Sequence, residues 1–319
     1  MDKISVANNI ASQLLKIKAV TLNPKEPFVW ASGIKAPIYT DNRLTIAYPD
    51  FRQTIAHDLA ELIKEKYPEM IVVGTVGPFN EGTDYVEGWK LADKLGIPMV
   101  DEHYYQTPGW FLNNQDFYDK YDRSKKTKVY LGEYATHIPG RKANIETALT
   151  EALYLAALER NGDVVHMTSY APLLAKEGHT QWNPDLIYFN NREVKPTTGY
   201  YVQKLYGQNA GNEYLPSKIT LDNRDDQVRK RIAASIVRDS ASGDVIVKLV
   251  NLLPVEVNTN VDLSGIGAIQ SSAKRTVLTG KPADTPLPVE DTMEVAEKFD
   301  YQLPAYSFTV IRIKKANEK

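Results

Sequence analysis

The chain has 319 residues, of which 43% are hydrophobic and 24% charged, and its formal net charge is −2 at pH 7. This composition is ordinary for a soluble globular protein, and the small net charge gives no electrostatic reason to expect nucleic acid or an anionic membrane as a partner. The absence of cysteine excludes disulfides, thiol nucleophiles and thiolate metal sites. No apolar run reaches the ~18 residues of a membrane span. The N-terminal segment lacks the apolar core of a signal peptide, which predicts a cytoplasmic protein.

The first fifth of the chain combines helical and extended patterns. Apolar residues recur at helical spacing over residues 3–18 and 50–66, which predicts two amphipathic helices. Between them, Pro and Gly interrupt short β-rich pieces over residues 20–48. Residues 1–69 are therefore expected to form a short α+β segment.

Strands alternate with helices over residues 70–210. Apolar runs of strand length occur at 70–74, 97–102, 128–133 and 164–169, with helical patterns between them. The first run is continuously apolar, which is typical of a strand buried on both faces. Such alternation predicts a parallel sheet with right-handed crossovers. About four units are present, whereas a closed barrel needs about eight.

A different pattern follows over residues 211–319. Short β-rich runs are separated by Gly, Asn, Asp and Pro, which predicts an antiparallel β-sandwich. The runs span residues 232–237, 244–250, 256–261, 274–278 and 306–313. The expected fold class is α/β plus all-β, with a partial (β/α)8 barrel preceding the sandwich.

Two predicted strands end in side chains suited to sugar chemistry. Glu133 is the last residue of the run 128–133, and His103, Tyr104 and Tyr105 come directly after the run 97–102. Parallel strands direct their carboxyl ends to one face, where barrel enzymes hold their active sites. The pattern alone leaves alternatives open, because a strand-end carboxylate can serve a salt bridge and aromatic residues can pack in the core.

Other polar groups give weaker signals. Asp101 and Glu102 are adjacent, so they point to opposite sides of a strand and do not form a catalytic pair by themselves. The 5 histidines are scattered and lack a metal-binding spacing. Neither a metal nor a cofactor is expected.

Residues from about 70 to the end resemble the C-terminal part of a glycoside hydrolase family 51 α-L-arabinofuranosidase. The resemblance is carried by GPFNEGTDYVEGWKLADKLGIP, VDEHYYQTPGWFLNN, YDRSKKTKVYLGEYATH, ALYLAALERNGDVVHMTSYAPLLAKEGHTQWNPDLIYF and LPAYSFTVIRI. It implies the second half of a (β/α)8 barrel followed by the family's β-sandwich. It also implies retaining hydrolysis of terminal arabinofuranosyl groups in plant polysaccharides or oligosaccharides.

The resemblance assigns roles to individual residues. Glu133 matches the family's nucleophile at the end of the seventh strand. His103, Tyr104 and Tyr105 match the aromatic end of the sixth strand, which lines the sugar site, and His103 and Tyr104 are the candidate sugar-binding residues among them. Trp182 and Asn183, in GHTQWNPD, match the loop after the eighth strand, which closes over the arabinose.

The family's second carboxyl group is not matched in this sequence. The acid/base glutamate follows an asparagine at the end of the fourth strand, before the point where the resemblance begins. Asn80-Glu81 and Asn212-Glu213 are the Asn-Glu pairs of this chain, and neither has that setting. We therefore expect a glycosidase by lineage with little or no turnover. The alternative is a non-catalytic sugar-binding or structural remnant.

Residues 1–69 resemble a different family, the orotate phosphoribosyltransferases, most specifically in FVWASGIKAPIYTDNR. The chain therefore looks like a join of two proteins with a crossover near residues 63–69. Phosphoribosyl transfer needs an acidic and glycine-rich run around the ribose phosphate, which does not occur here. Lys35 and Tyr39 are the candidate remnants of an orotate pocket. An open half-barrel also predicts self-association into a homo-oligomer.

Overall fold

A computed structural model describes residues 2–30, 32–138, 140 and 143–316, and the chain divides into two compact units, Met1–Val72 and Val73–Lys319. Among its described residues, the first unit contains two α-helices, a 3₁₀ helix (Asn42–Ala47) and two antiparallel strand pairs, β1–β4 and β2–β3. Their bounds are α1 (Lys3–Lys16), β1 (Val20–Leu22), β2 (Phe28–Val29), β3 (Lys35–Ala36), β4 (Ile38–Thr40) and α2 (Pro49–Lys66). Both predicted helices are confirmed. Helix α1 begins where Asp2 accepts backbone hydrogen bonds from Ile4 and Ser5, and α2 begins with Pro49 in its first turn.

The second unit opens with a four-stranded parallel sheet in the order β5–β6–β7–β8. Its elements are β5 (Val73–Thr75), α3 (Thr83–Leu95), β6 (Met99–Gln106), α4 (Pro108–Asn113), β7 (Lys128–Thr136), α5 (Ile145–Arg160) and β8 (Val165–Tyr170). The predicted parallel sheet is thus confirmed. In the described part of the chain β5 and β8 each pair on one side, so the sheet does not close into a barrel.

The prediction that the run at 70–74 is a strand buried on both faces is wrong. The strand is limited to Val73–Thr75, Val73 is exposed, and Ile71, which precedes the strand, is 59% exposed. The physical reason is position, because β5 is an edge strand whose neighbour is β6 alone among the described residues. An apolar run identifies a strand but does not say how many neighbours the strand has.

A small sheet and the β-sandwich complete the second unit. The elements that follow β8 are β9 (Leu174–Lys176), β10 (Ile187–Phe189), β11 (Val194–Pro196), α6 (Thr198–Gln208), β12 (Glu213–Tyr214), α7 (Asp226–Arg229), β13 (Ile232–Arg238), β14 (Val245–Asn251), β15 (Val257–Asp262), β16 (Ile269–Thr279), β17 (Val289–Glu294), β18 (Lys298–Leu303) and β19 (Ser307–Lys315). Strands β9 to β11 form a three-stranded sheet. A six-stranded antiparallel sheet, β12–β13–β14–β19–β16–β17, packs with the pair β15–β18, which confirms the sandwich.

Helix α5 is the centre of the second unit. It begins at a capping box in which Asn144 and Thr147 exchange side-chain and backbone hydrogen bonds. Almost every residue from Ile145 to Leu158 is buried, because one side packs on β7 and another on β13 and β14. The apolar side chains of the parallel sheet, α5 and the near face of the sandwich form one continuous core.

A buried ion pair joins α5 to the sandwich. Nζ of Lys248, on β14, donates to Oε1 of Glu159 at 2.5 Å, and Oγ of Ser235 donates to Oε2 at 2.5 Å. The Lys248 side chain has no exposed surface. Burial lowers the pKa of Lys248 and raises the pKa of Glu159. Each charge is therefore tolerated because the other neutralises it.

Glu151 on α5 should make stability depend on pH. Its carboxylate accepts a hydrogen bond from the backbone N–H of Thr136 at 2.9 Å, and burial raises its pKa from the usual 4.5 to about 8. Between these values the folded protein keeps a proton that the unfolded chain releases, so the free energy of unfolding falls as pH rises. At pH 8 we expect the free energy of unfolding of Glu151→Gln to exceed that of the parent protein by on the order of 2–4 kcal/mol.

Urea denaturation at pH 5, 7 and 8 would measure this difference. Glu146→Gln, on the same helix, is the matched control and should leave the pH dependence of the parent unchanged. Equal slopes for Glu151→Gln and the parent protein would contradict the assignment.

Candidate active site

Glu133 lies near the C-terminal end of β7, where two side chains of β6 contact its carboxylate. The hydroxyl of Tyr105 donates to Oε2 at 2.7 Å, and Nδ1 of His103 lies 3.5 Å from the same oxygen. His103 is opposite Glu133 in the parallel pairing of β6 with β7. The Glu133 side chain is 42% exposed, so a ligand can reach it.

The second nitrogen of His103 also faces a carboxylate. Nε2 lies 2.8 Å from Oδ2 of Asp101, two residues earlier on β6. Asp101, His103 and Glu133 therefore form a row in which an imidazole lies between two acidic side chains. Burial and the hydrogen bond to Glu133 raise the pKa of Tyr105, so its phenol remains a hydrogen-bond donor.

Aromatic rings border this row. The ring of Trp182, in the loop between β9 and β10, meets the ring of Tyr105 edge-on with centroids 5.3 Å apart. His137, just after β7, stacks on Trp182 with centroids 6.1 Å apart. Trp182 is 44% exposed and so presents an open aromatic surface next to Tyr105, whose hydroxyl contacts Glu133. The structure thus brings Glu133, His103 and Trp182 together.

Asn183 is next to Trp182 but has a bracing contact within its own loop. Its Oδ1 accepts a hydrogen bond from the hydroxyl of Tyr188 at 2.8 Å. The same hydroxyl accepts from the backbone N–H of Asp185 at 3.0 Å. These bonds hold the loop that presents Trp182.

Tyr104 is not brought into the cluster, in contrast to the expectation from sequence. Its side chain is completely buried, and its hydroxyl lies 2.7 Å from that of Tyr154 and 3.1 Å from that of Tyr118. The reason is strand alternation, since residues 103 and 105 share one face of β6 and residue 104 has the other. Tyr105 occupies the place beside Glu133 instead.

Glu102 confirms the predicted divergence of the two adjacent acids on β6. It is completely buried, and its carboxylate accepts hydrogen bonds from Tyr118 and Trp89 at 2.8 and 3.0 Å. Asp101 lies instead on the side of His103. Asp101 and His137 are not among the site residues predicted from the sequence, and Tyr105 is matched to the sugar site there without being a chosen candidate. Counting every second residue from His103 along β6 points to both Asp101 and Tyr105.

The two Asn-Glu pairs lie elsewhere. Asn80, in the loop after β5, accepts a hydrogen bond from Gln106 at 3.2 Å, whereas Glu81 is exposed. Glu213, on β12, pairs with Arg238 at 3.2 Å. In the described part of the chain, no hydrogen bond or ion pair joins either glutamate to Glu133, His103 or Tyr105.

Two further features bear on ligands and surroundings. Within the described ranges, no group of three or more His, Asp or Glu side chains is arranged to hold a metal ion. None of the helices seen in those ranges has the length and apolarity needed to span a membrane.

In the first unit, Lys35 lies on β3, and Tyr39, on β4, packs against Phe28 with ring centroids 5.5 Å apart.

Comparison with known sequences identifies two kinds of relative. The family model described as "Alpha-L-arabinofuranosidase C-terminal domain" matches residues 118–307. An extracellular exo-α-L-arabinofuranosidase of Streptomyces chartreusis is 48% identical over 158 residues, which are 50% of this chain and 18% of that protein. An orotate phosphoribosyltransferase of Lactiplantibacillus plantarum is 52% identical over 95 residues, 30% of this chain and 43% of that protein.

Solved structures show the same architecture. An arabinose-bound MgGH51 α-L-arabinofuranosidase aligns with a TM-score of 0.70 and 26% identity, over 99% of this chain and 52% of that one. The Thermotoga maritima α-L-arabinofuranosidase aligns with a TM-score of 0.59 and 13% identity, over 80% of this chain and 60% of that one. The α/β plus all-β fold class is thereby confirmed.

The relatives also bear on the organisation of the chain. It spans less than two thirds of each of these relatives, and two unrelated families match it, which supports a join of two proteins. The transferase likeness covers 95 residues and is therefore longer than the unit Met1–Val72. The Streptomyces relative is named as extracellular, so a cytoplasmic location stays a prediction.

Proposed function

The chain belongs to the family defined by the α-L-arabinofuranosidase C-terminal domain, and from this premise we propose that its second unit is a retaining arabinofuranosidase-type glycoside hydrolase with Glu133 as nucleophile. The substrate is a terminal arabinofuranosyl group on an oligosaccharide or polysaccharide. His103 and Trp182 line its sugar site together with Tyr105, and Asn183 supports the loop of Trp182.

The observation that supports this proposal is the setting of the Glu133 carboxylate. It is solvent-accessible at the carboxyl end of a parallel strand and is held by the Tyr105 hydroxyl at 2.7 Å. One carboxylate oxygen can form a bond to the anomeric carbon while the bond to the leaving oxygen breaks and its electron pair leaves with that oxygen. The neighbouring Trp182 ring offers an apolar surface to the sugar.

We further propose that this polypeptide alone turns over natural substrates slowly or not at all. A retaining glycosidase needs a second carboxyl group that protonates the leaving oxygen and later activates water. No residue of this sequence matches that group. Loss of general acid catalysis typically costs ~10²–10⁴-fold in rate.

The test uses an arabinofuranoside whose leaving group is an activated nitrophenol, because such a group departs without a proton. We expect a burst of nitrophenolate followed by a persistent ester on Glu133, since water attack on the ester also lacks its base. Intact-protein mass spectrometry should show the addition of one anhydro-arabinosyl group, and peptide mapping should place it on Glu133. Azide, which attacks without a base, should shorten the life of the adduct.

Leaving-group dependence gives a separate prediction. The rate of ester formation should fall by an additional ~10²–10⁴-fold, beyond the intrinsic difference in reactivity, when the nitrophenol is replaced by an alkyl alcohol. A complete arabinofuranosidase assayed with the same pair of substrates is the reference. A parallel dependence in the two proteins would mean that this chain has a working proton donor.

The second candidate function is sugar binding without turnover, which the exposed Trp182 ring favours. Calorimetric titration with arabinose would show binding while neither burst nor adduct appears. An orotate phosphoribosyltransferase activity has weaker support, because the sequence lacks the phosphate-binding run that the reaction needs.

A further inference from the structure

The position of the Asp101 side chain on β6 depends on Gly132, its neighbour on β7. Its Oδ2 faces Nε2 of His103 at 2.8 Å, whereas Oδ1 is buried and has no hydrogen-bond partner among the described residues. A Cβ atom added to Gly132 would lie 2.0 Å from this Oδ1. Asp101 can therefore occupy its place because residue 132, directly before Glu133, has no side chain.

The backbone of β7 is irregular at the same point. The pairing with β6 shifts register between Glu102 and His103, and the pairing with β8 shifts between Leu131 and Tyr134. The carbonyl oxygen of Gly132 is held from the other side by Oγ of Ser169 at 2.6 Å. Gly132 is thus fixed between Ser169 on β8 and the Asp101 carboxylate on β6.

The Asp101 carboxylate also determines which way the His103 ring faces. An ionised carboxylate only accepts hydrogen bonds, so the short Nε2 contact requires a hydrogen on Nε2. This bond orients the ring so that Nδ1 faces Oε2 of Glu133. Without the bond the ring is free to rotate about its side-chain torsions and to leave Glu133.

We propose that Asp101 is a positioning residue that acts on Glu133 through His103, and that Gly132 provides the space that this arrangement requires. This proposal rests on the function proposed for Glu133 only in the experiments that measure covalent labelling. Its structural part, the coupling of Asp101 to His103 and Gly132, stands independently. Asp101 has no direct contact with the sugar in this scheme.

The first experiment replaces Asp101 with asparagine, which keeps the shape and removes the charge. The rate constant for ester formation from the nitrophenyl substrate should fall on the order of 100-fold, as expected for a misplaced reacting group. The substrate concentration at half saturation should change little, because His103 remains present. In the resting protein, the ¹⁵N signal of His103 Nε2 should shift, because its hydrogen-bond partner is no longer a charged oxygen.

Asp116→Asn is the matched control, because Asp116 is an exposed acid of the same unit that pairs with Lys120 at 3.0 Å. Its labelling rate and the His103 signals should equal those of the parent protein. If Asp101→Asn also left both readouts unchanged, the positioning role would be wrong.

A double-mutant cycle tests the close approach without any catalytic readout. Gly132→Ala should lower the denaturant midpoint strongly, because the new methyl group collides with the Asp101 carboxylate. Asp101→Ala should remove most of that loss when the two changes are combined, since the collision disappears. Additive effects of the two changes would overturn the proposed coupling.

The two proposals fail in distinguishable ways. If the parent protein forms no ester at all, the assignment of Glu133 fails, while the ring signals and the cycle still decide the role of Asp101. If the parent protein is labelled but Asp101→Asn behaves like Asp116→Asn, only the role of Asp101 fails.

Discussion

Replacing Glu133 with glutamine is expected to abolish covalent labelling by the nitrophenyl arabinofuranoside. The amide oxygen is a far weaker nucleophile than a carboxylate, and removal of a catalytic nucleophile typically costs on the order of 10⁴-fold or more. The Tyr105 hydroxyl can still donate to the amide oxygen at this position, so the fold should be retained. Burst amplitude and intact mass measure the effect.

The matched control for this change is Glu213→Gln. Glu213 is a partly exposed acid on β12 that pairs with Arg238 in the sandwich. The Glu213→Gln variant should be labelled on Glu133 at the rate of the parent protein. If Glu133→Gln still formed the ester, the nucleophile would be another side chain, and peptide mapping would identify it.

Replacing Lys248 with methionine is expected to lower the free energy of unfolding by about 3–5 kcal/mol, because the change leaves the buried Glu159 carboxylate without its cation. Ser235 donates a hydrogen bond to Glu159 but cannot neutralise it. The pair lies between α5 and β14, so the loss should appear in unfolding of the whole second unit. Urea denaturation at pH 7 measures it.

Two further variants sharpen this test. Lys248→Met combined with Glu159→Leu should recover most of the loss, since two apolar side chains replace a buried ion pair without an unpaired charge. Lys298→Met breaks the exposed pair with Asp262, at 2.8 Å, and should cost less than about 1 kcal/mol. Equal losses of unfolding free energy in the Lys248 and Lys298 variants would mean that the buried pair matters no more to stability than the exposed one.

Much of the fold follows from periodicity. The alternation that predicts a parallel sheet survives in β5 to β8, and the Ala- and Leu-rich stretch is the buried helix α5. Strand β17 is mostly polar and exposed, so it gives no hydrophobic pattern to predict from. Strand β18 does alternate polar residues with Phe299, Tyr301 and Leu303, which face the core, but it lies outside the predicted runs. The exposure of β5 was also missed, since its cause is the number of neighbouring strands rather than any property of the run.

The site was predictable in part. Parallel strand ends explain why His103 meets Glu133, and alternation along β6 would have favoured Tyr105 over Tyr104 once His103 was selected. Trp182 comes from a loop between β9 and β10, so only the family resemblance could place it at the site. The dependence of Asp101 on Gly132 is a contact at atomic distance, which no sequence pattern encodes.

The burial of α5 between two layers has a consequence for cooperativity. Residues of the sandwich such as Ala233 and Ile246 share one apolar cluster with α5 and the parallel strands. In a fragment that ends at residue 210, the side of α5 that packs against the sandwich would be exposed to water. In a fragment that begins at residue 211, the face of the sandwich that packs against α5 would be exposed. The two layers should therefore melt in a single calorimetric transition, and neither should be recoverable as an autonomous folding piece.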